Sequence, residues 1–407
     1  MTGLLYCRER LDRPHGGNWI RFKLLKSPAC KCQLRPHLNS AVMAAFLRRM
    51  YKLTDQPLRF GILGAAIVAP LALILPAKTH PDVVVIAIAS RDQVRAGNFA
   101  KRHGVPRAYG GPEAYQALLE DPDVDVVYNP LPNGLHYEWT MKALVAGKHV
   151  LLEKPSAITS DETRRMFALA EKKGLVLMEA FHYRFHPAAR RVKAIVDAGK
   201  IGKIQYVDAS LGVPRIASDD NNGYKLNLGG GCFMDMGCYL LSITRYMTSA
   251  DPTDVISVNP TTSPKYPGID IGATAELAFP GGMTASFSTH FRLPPSFCFI
   301  PQMPKAFIRL IGTQGELMYN VFPAPHAYHS ITITNSEGKI RTEKEYGIEG
   351  WSTYRYQLEA FVDRIRGRTP DHWFDGTDSI VNMEWVERVY EASGLGPRPA
   401  STYVAPE

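Results

Sequence analysis

The apolar positions of residues 58–180 fall into short runs separated by amphipathic stretches. The run at 82–89 is rich in β-branched residues, which is typical of a strand buried on both faces of a parallel sheet. Predicted strands lie at 59–64, 82–89, 124–128, 149–152 and 175–178, and predicted helices at 65–77, 93–103, 112–119, 136–146 and 161–173. Because strands and helices alternate, this region is predicted to be α/β, with a Rossmann-type, doubly wound parallel sheet.

Strand patterns dominate the remainder of the chain. Predicted strands lie at 204–211, 274–279, 284–291, 307–311 and 330–334, and predicted helices at 187–198, near Phe233, at 352–366 and at 378–393. Pro280, Gly281 and Gly282 separate two of these strands and predict a hairpin. We therefore expect a poorly ordered leader at 1–57, a Rossmann domain at 58–180, and an α+β domain with a large, mostly antiparallel open sheet at 181–407.

The excess charge of the chain is confined to its N-terminal part. The 407 residues carry a net charge of +8, and residues 1–56 contain 11 Lys and Arg against three acids, which leaves 36 of each in the rest. A charge-balanced body argues against a nucleic-acid partner, since such a partner needs a basic surface on the folded domain. The longest apolar segment, 65–77, is shorter than the roughly 20 residues of a membrane span. No membrane association is expected.

The basic leader has two interpretations. Its Arg-rich, acid-poor composition partly resembles a mitochondrial transit peptide, although Glu9 and Asp12 weaken that assignment. The favoured alternative is that translation starts at Met43. The cysteines of the body, Cys232, Cys238 and Cys298, are too few and too irregular for a disulfide framework, so we expect a reducing, cytoplasmic location.

A glycine motif follows the first predicted strand and opens the first helix. Gly61, Gly64, Ala65 and Ala66 lie in this segment. Glycines at such a turn let the backbone approach a pyrophosphate at the helix N-terminus. The motif thus indicates a dinucleotide site, although a tight strand-to-helix turn without a ligand is the simpler alternative.

The end of the second predicted strand carries Ser90 and Arg91. An enzyme that binds NAD usually places an acid there for the ribose hydroxyl, whereas a guanidinium and a hydroxyl suit a 2′-phosphate. NADP is therefore preferred over NAD. Asp92 follows immediately and keeps NAD as an alternative, and Arg91 could also be an ordinary solvated charge.

Two further segments end parallel strands at the same edge of the predicted sheet, where such sheets bind ligands. The tripeptide Glu153, Lys154 and Pro155 follows the strand at 149–152. The loop after the strand at 124–128 supplies further candidates for cofactor contact, Asn129, Pro130, Leu131, Asn133 and His136. His136 could equally cap its own helix, and Lys154 could be a surface lysine.

A run of three glycines, 229–231, precedes Asp235 and Tyr239. These two residues are four positions apart, so that a helix places them on one face. A carboxylate and a phenol beside a lysine form a workable proton-transfer set, because an ammonium neighbour favours the ionised phenol. A structural aspartate and a packed tyrosine are the alternative.

These motifs, in this order, resemble the Gfo/Idh/MocA oxidoreductase family over residues 58 to about 390. Glu153-Lys154-Pro155 matches the signature tripeptide of the family, and Lys154 takes the place of its catalytic lysine. Tyr239, where the inositol dehydrogenases have histidine, is similar to the branch of the dimeric dihydrodiol and fungal D-xylose dehydrogenases, as are the segments 128–133, 136–139, 178–181 and 184–187. Ile67-Val68 departs from the expected Asn-Ile or Ser-Ile pair, which puts one cofactor contact in doubt.

The resemblance implies an NADP-dependent enzyme that oxidises the anomeric hydroxyl of an aldose, D-xylose above all, to its lactone. It implies that Tyr239 takes the hydroxyl proton, Lys154 lowers the pKa of Tyr239 and binds substrate, and Asp235 orients the sugar or Lys154; which of Tyr239 and Lys154 is the final base stays open. Phe181 and Arg184 are the other candidates for substrate contact. A homodimer through the C-terminal sheet is also expected.

Two rival functions remain open at this point. The same three residues could oxidise trans-dihydrodiols of aromatic hydrocarbons. A non-catalytic sensor or repressor that binds NADP is a rival of another class, although the presence of Lys154, Asp235 and Tyr239 together argues against it. No metal is expected, because His182 and His186 precede Pro187 in a predicted loop and the cysteines lack zinc-ligand spacing.

Overall fold

The computed structural model describes residues 56–214, 221–293 and 302–405, together with the backbone of two short paired strands, β1 (Tyr6–Arg8) and β2 (Phe22–Leu24). The chain divides into two compact units, Met1–Leu53 and Thr54–Glu407. Most of the predicted leader, and Cys298, lie outside the described residues. Both large sheets belong to the second unit.

The first sheet has six parallel strands in the order β5-β4-β3-β6-β7-β8. The strands are β3 (Leu58–Leu63), β4 (Val83–Ser90), β5 (Arg107–Gly110), β6 (Val126–Asn129), β7 (His149–Leu152) and β8 (Leu177–Glu179). This confirms the predicted doubly wound sheet. The order reverses between β3 and β6, and such a reversal opens a crevice at the carboxyl ends of the strands.

Helices connect these parallel strands. They are α1 (Leu75–Lys78), which continues a π-helical turn at Pro70–Ile74, α2 (Gln93–His103), α3 (Ala114–Glu120), α4 (His136–Val145) and α5 (Ser160–Lys172). The first helix begins at Pro70, later than predicted. Proline lacks an N–H and is tolerated in a first turn, so Pro70 marks the start of the helix.

The second sheet has eight strands in the order β10-β11-β12-β9-β13-β14-β15-β16. They are β9 (Ile204–Gly212), β10 (Asp254–Ser263), β11 (Tyr266–Ala278), β12 (Thr284–His290), β13 (Lys305–Gly312), β14 (Gly315–Asn320), β15 (Ser330–Asn335) and β16 (Ile340–Glu343). Neighbouring strands are antiparallel except β9 and β12, which are parallel. The mostly antiparallel sheet and the hairpin at Pro280–Gly282 are confirmed.

The helices of the second half join the two sheets into one body. They are α6 (Pro187–Asp197), α7 (Cys238–Thr248), which continues a π-helical turn at Phe233–Gly237, α8 (Thr353–Ile365) and α9 (Gly376–Ala392). One apolar core contains residues of both sheets, and the rings of Phe60 in β3 and Phe361 in α8 have centroids 6.3 Å apart. Within the described ranges, no helix combines the length and apolar character needed to cross a bilayer.

Candidate active site

A cleft of about 300 Å³ opens at the carboxyl ends of β3 and β4. It is lined by the glycine turn after β3, the end of β4, and the loop after β6: Gly64, Ala65, Ala66, Ser90, Arg91, Asp92, Arg95, Tyr115, Pro130, Leu131, Pro132 and Asn222. Seven of the predicted cofactor residues are thus brought together in one place. Arg95, Tyr115 and Asn222 were not predicted. The position of Arg95 one helical turn after Arg91 was the available signal for the first of them.

The two glycines of the motif have different roles. Gly64 has a φ of 83°, which favours glycine, and a Cβ there would lie 3.0 Å from Leu131 Cδ2. Gly64 therefore keeps the turn close to the loop after β6. Gly61 lies inside β3, and a Cβ would lie 2.7 Å from Leu118 Cδ2 of α3. Gly61 lets a helix pack on the strand, and it does not line the cleft.

The charged residues after β4 favour a phosphate over a ribose hydroxyl. The Asp92 carboxylate accepts a hydrogen bond from the Arg95 N–H at 2.9 Å and caps α2, so this acid already has a structural partner. Arg91 and Arg95 both line the cleft, and the Arg95 guanidinium donates to the Ala65 carbonyl at 2.9 Å. Two cations beside a capped acid agree with the NADP prediction.

Asn129 and His136, which were predicted to contact cofactor, shape the loop after β6, and neither lines the cleft. Both are fully buried. The Asn129 amide donates to Thr140 Oγ1 at 3.1 Å and accepts from the Leu131 N–H at 3.3 Å. The His136 ring nitrogens lie 2.7 Å from the carbonyl oxygens of Leu131 and Pro155, and burial lowers the pKa of His136 to about 4. A neutral imidazole has one N–H, so it donates to only one of these two carbonyls, and the ring lies between this loop and the tripeptide after β7.

Asn133 connects the same loop to the second half of the chain. Its amide donates to the Gly229 carbonyl at 3.2 Å, and Gly229 begins the glycine run before the π-helical turn. Asn133 therefore positions the segment that carries Asp235, and it does not line the cleft.

The predicted catalytic residues meet at the carboxyl end of β7. Lys154 Nζ lies 2.6 Å from Asp235 Oδ1 and donates to the Asp235 carbonyl at 3.0 Å. The same atom lies 5.1 Å from the centroid of the Tyr239 ring. The Lys154 side chain is 14% exposed and that of Asp235 is 40% exposed. Asp235 lies in the π-helical turn and Tyr239 in the first turn of α7, and both contact the ammonium.

The expectation that Lys154 lowers the pKa of Tyr239 stays a prediction. Burial raises the pKa of Tyr239 well above its usual value. The ammonium lies over the face of the ring, and Asp235 neutralises its charge. Burial acts to lower the pKa of the Lys154 ammonium, and the Asp235 carboxylate acts to raise it. The net result is a pKa above the usual value of lysine. The Tyr239 hydroxyl instead lies 3.1 Å from His182 Nε2.

Glu153, which was predicted to contact cofactor, lies behind the site and does not line the cleft. It is buried, and its Oε1 accepts a hydrogen bond from the Tyr128 hydroxyl at 2.7 Å. Burial raises the pKa of Glu153. The tripeptide therefore directs one side chain, Lys154, towards Asp235 and the other into the protein.

Phe181 and Arg184 were predicted to contact substrate, and in this structure both side chains are buried. The Phe181 ring packs edge-on against Tyr239 with centroids 5.5 Å apart. Arg184 forms an ion pair with Asp378 in the first turn of α9, and lies over the rings of Tyr246 and Phe374 at 4.6 and 4.4 Å. Phe181 thus supports Tyr239 from behind.

His182 and Tyr354 complete the surroundings of Tyr239. Their rings are in contact, with centroids 4.0 Å apart and planes tilted by 31°, and His182 is buried. His182 precedes the predicted Arg184 by two residues, but its contact with Tyr239 arises only from the fold. In the described part of the chain, no group of three or more His, Cys, Asp or Glu is arranged to hold a metal ion.

Two family models cover this arrangement. The oxidoreductase family with an NAD-binding Rossmann fold, Gfo/Idh/MocA, matches residues 58–181, and the C-terminal domain of the same family matches residues 189–318. The chain belongs to the Gfo/Idh/MocA oxidoreductase family. The resemblance inferred from the motifs is thus confirmed.

Relatives within this Gfo/Idh/MocA family include both enzymes of the expected branch. D-xylose 1-dehydrogenase (NADP(+)) 2 of Haloferax volcanii is 34% identical over 342 residues, which are 83% of this chain and 98% of the relative. Trans-1,2-dihydrobenzene-1,2-diol dehydrogenase of Bos taurus is 31% identical over 262 residues, 63% of this chain and 72% of the relative.

A solved structure of the same family also resembles this chain. It is a 3-ketoreductase from Actinomadura kijaniata in complex with NADP and TDP-benzene, with 29% identity and a TM-score of 0.72, and the similarity covers 83% of this chain and 98% of the neighbour. This Gfo/Idh/MocA oxidoreductase thus has NADP-dependent relatives that act on different substrates.

Proposed function

We propose that this protein is an NADP-dependent dehydrogenase that oxidises the anomeric hydroxyl of an aldose, D-xylose first, to the lactone. The observation that carries the proposal is the ion pair of Lys154 Nζ with Asp235 Oδ1 at 2.6 Å beside the Tyr239 ring. A binding module has no need of a lysine, a carboxylate and a phenol in contact at the end of a parallel strand. An enzyme that moves a proton does.

The cleft beside this cluster fits an NADP molecule. Gly64 provides a turn that a Cβ would crowd against Leu131, as a backbone that approaches a pyrophosphate requires. Arg91 and Arg95 provide positive charge at the end of β4, where a 2′-phosphate would lie. When bound, the oxidised nicotinamide would supply the acceptor for the hydride that leaves the sugar carbon.

The three residues of the cluster have separable roles. Lys154 uses two of its three N–H donors on Asp235, and among the described residues its third has no protein acceptor, so we assign it to the substrate oxygen. The half-exposed Asp235 carboxylate can accept a hydrogen bond from a neighbouring sugar hydroxyl. Tyr239 takes the proton of the reacting hydroxyl, since its oxygen is held in place by His182.

The aldose is favoured over the dihydrodiol by the extent of the similarity. The D-xylose dehydrogenase relative matches 83% of this chain and the dihydrodiol dehydrogenase relative 63%. An open carboxylate such as Asp235 also suits a substrate that carries several hydroxyl groups, because each can donate a hydrogen bond. A homodimer through the second sheet stays a prediction.

The decisive experiment follows the near-ultraviolet absorbance of reduced nicotinamide with D-xylose, D-glucose and a trans-dihydrodiol in parallel, with NADP+ and then NAD+. We expect turnover with the pentose and NADP+, and a loss of roughly 10²- to 10⁴-fold in the Tyr239→Phe variant, as is typical of a proton-transfer residue. Tyr183→Phe is the matched control, because Tyr183 is a neighbouring buried tyrosine whose hydroxyl bonds to Ser242.

Three outcomes would contradict this proposal. Turnover of the trans-dihydrodiol alone would show that the protein is a dihydrodiol dehydrogenase and not an aldose dehydrogenase. An equal loss in both tyrosine variants would remove Tyr239 from the proton step. Measurable NADP binding without turnover of any substrate would favour the non-catalytic sensor.

A further inference from the structure

A chain of side-chain hydrogen bonds leads from the Tyr239 hydroxyl away from the cleft. Tyr239 Oη lies 3.1 Å from His182 Nε2, and His182 Nδ1 lies 2.8 Å from Thr353 Oγ1. Thr353 Oγ1 in turn lies 3.4 Å from His326 Nδ1. His182 and Thr353 are buried, whereas His326 is partly exposed. The chain therefore joins the candidate active site to the protein surface.

One backbone group fixes the direction of these hydrogen bonds. The Thr353 N–H donates to His326 Nδ1 at 3.4 Å, so this nitrogen is an acceptor. The Thr353 hydroxyl can then donate to the same nitrogen and accept from the Nδ1–H of His182. A neutral imidazole protonated on Nδ1 has an acceptor at Nε2, which faces the Tyr239 hydroxyl. Each donor thus points outward, away from the cleft.

We propose that His182, Thr353 and His326 form a proton relay that carries the proton of the oxidised hydroxyl from Tyr239 to solvent. This inference rests on the proposed dehydrogenase function. The sugar carbon loses a hydride, with its electron pair, to the nicotinamide, and the hydroxyl proton passes to the Tyr239 oxygen. The tyrosine proton moves to His182 Nε2, the Nδ1 proton to Thr353, the threonine proton to His326 Nδ1, and the Nε2 proton of His326 to water.

The pKa values of Tyr239 and His182 suit residues that pass a proton on rather than residues that hold a charge. Burial raises the pKa of Tyr239 well above its usual value, so a phenolate is costly. Burial lowers the pKa of His182 to about 3, so an imidazolium is costly as well. Because neither residue holds a charge readily, a proton that enters at Tyr239 is best passed on in a concerted step.

A competing exit lies on the other side of the site. Lys154 could pass one of its own protons to Asp235, whose side chain is 40% exposed and therefore meets water directly, and take the substrate proton in its place. The two exits share no residue beyond the cluster itself, so that variants of Thr353 can separate them.

The matched pair of variants is Thr353→Val, which removes the hydroxyl at constant shape, and Thr353→Ser, which keeps it. The rate of NADP+ reduction is measured in a single turnover, because slow product release would otherwise hide a change in the chemical step. We expect Thr353→Val to slow the single turnover about tenfold or more, with little change in substrate affinity, and Thr353→Ser to stay within about twofold of wild type. Equal rates in wild type and both variants would assign the exit to Lys154 and Asp235. An equal loss in both variants would show a structural role only.

A second measurement does not depend on turnover. NMR of the protein with isotope-labelled histidine reports which ring nitrogen carries the proton, and His182→Gln and His326→Gln assign the signals. We expect His182 protonated on Nδ1 and His326 on Nε2. The opposite tautomer at His182 would overturn the relay even in an active enzyme. The expected tautomers in a protein without dehydrogenase activity would instead contradict the proposed function and leave the hydrogen-bonded chain in place.

Discussion

The segment from Gly229 to Tyr239 contains one acidic residue, Asp235, and is contacted by another, Asp270. The two carboxylates differ in their access to water. Asp235 is 40% exposed and pairs with Lys154. Asp270 of β11 pairs with Arg398, and both side chains are only 1% exposed. The Asp270 carboxylate also accepts hydrogen bonds from the Phe233 N–H at 2.6 Å and the Tyr390 hydroxyl at 2.8 Å. One pair is open to solvent at Asp235, and the other is sealed inside the protein.

The sealed pair fixes the backbone of the segment that presents the open pair. Asp270 holds the N-terminus of the π-helical turn, and the Tyr390 hydroxyl accepts from the Met234 N–H at 2.9 Å. Gly231 adopts a φ of 144°, and a Cβ there would lie 2.3 Å from the Tyr390 oxygen and 2.5 Å from Asp270 Oδ1. Only glycine allows this approach. The comparison indicates that the buried pair, Asp270 and Arg398, fixes the position of the backbone. The exposed pair, Lys154 and Asp235, can instead exchange its hydrogen bonds for hydrogen bonds to substrate.

The largest expected effect comes from breaking the sealed pair. Arg398→Met should lower the free energy of unfolding by about 3–5 kcal/mol, because it leaves the Asp270 carboxylate buried without its cation. Lys154→Met, the control at the open pair, should lower it by about 1 kcal/mol or less, since water can solvate Asp235. Urea unfolding measures both. Equal losses in the two variants would refute the distinction between the pairs.

Glu179 sharpens the comparison, because it is a buried acid that accepts from the Ser156 N–H at 2.7 Å. Burial raises the pKa of Glu179 to about 8, so the folded protein binds this proton more tightly than the unfolded chain. Its contribution to stability is thus complete below the unfolded pKa of about 4.3 and falls as the pH rises to about 8. We expect wild type to lose on the order of 5 kcal/mol over this window relative to Glu179→Gln.

Chemical denaturation of wild type and Glu179→Gln at several pH values tests this expectation. The glutamine retains an oxygen for Ser156 and resembles the protonated acid, so it is a matched control. Parallel stability curves for the two proteins would show that Glu179 does not titrate in this window.

Asp235→Asn tests the open pair through turnover. We expect kcat to fall about 100-fold, because an amide neither neutralises Lys154 nor accepts from substrate as strongly as a carboxylate. The free energy of unfolding should change by about 1 kcal/mol or less. Asp270→Asn is the control and should show the reverse balance, with the larger effect on stability. Steady-state kinetics and urea unfolding of both variants decide, and an Asp235 variant with full turnover would contradict the assignment.

The smallest effect is expected at the edge of the cleft. Arg91→Gln should weaken NADP binding about tenfold, or about 1.4 kcal/mol, because it removes one cation from the proposed 2′-phosphate position. NAD binding should be unchanged. Lys101, in the helix that follows Arg91, does not line the cleft, so Lys101→Gln serves as the control. Calorimetric titration with both dinucleotides measures the difference, and an equal loss for NAD and NADP would show that Arg91 does not select the phosphate.

The Rossmann sheet could be predicted from sequence because its central strands are continuous apolar runs and the helices between them are periodic. The missed strands lack that signal. The edge strand β5, Arg107–Gly110, is short and half-buried throughout, and most positions of β10, Asp254–Ser263, are exposed. Where tertiary pairing alone specifies a strand, the local pattern contains no trace of it.

The candidate site shows the same limit. Lys154, Asp235 and Tyr239 could be found because a strand end and a glycine run mark their positions. The burial of Asn129 and His136 could not be predicted, because a sequence does not reveal whether a polar side chain after a strand faces the cleft or the interior. Asp270 and Arg398 could not be found at all, since their meeting depends on three segments that are remote along the chain.

The parallel pairing of β9 with β12 has a consequence for folding kinetics. Tyr206 of β9 pairs with Thr284 of β12, and the intervening chain contains the π-helical turn and α7. Contacts so distant in sequence form slowly, because the entropy of closing a long loop is lost before the pairing rewards it. The segment that carries Asp235 and Tyr239 is therefore enclosed by a late event. On dilution from denaturant, we expect helical circular dichroism to return before catalytic activity does.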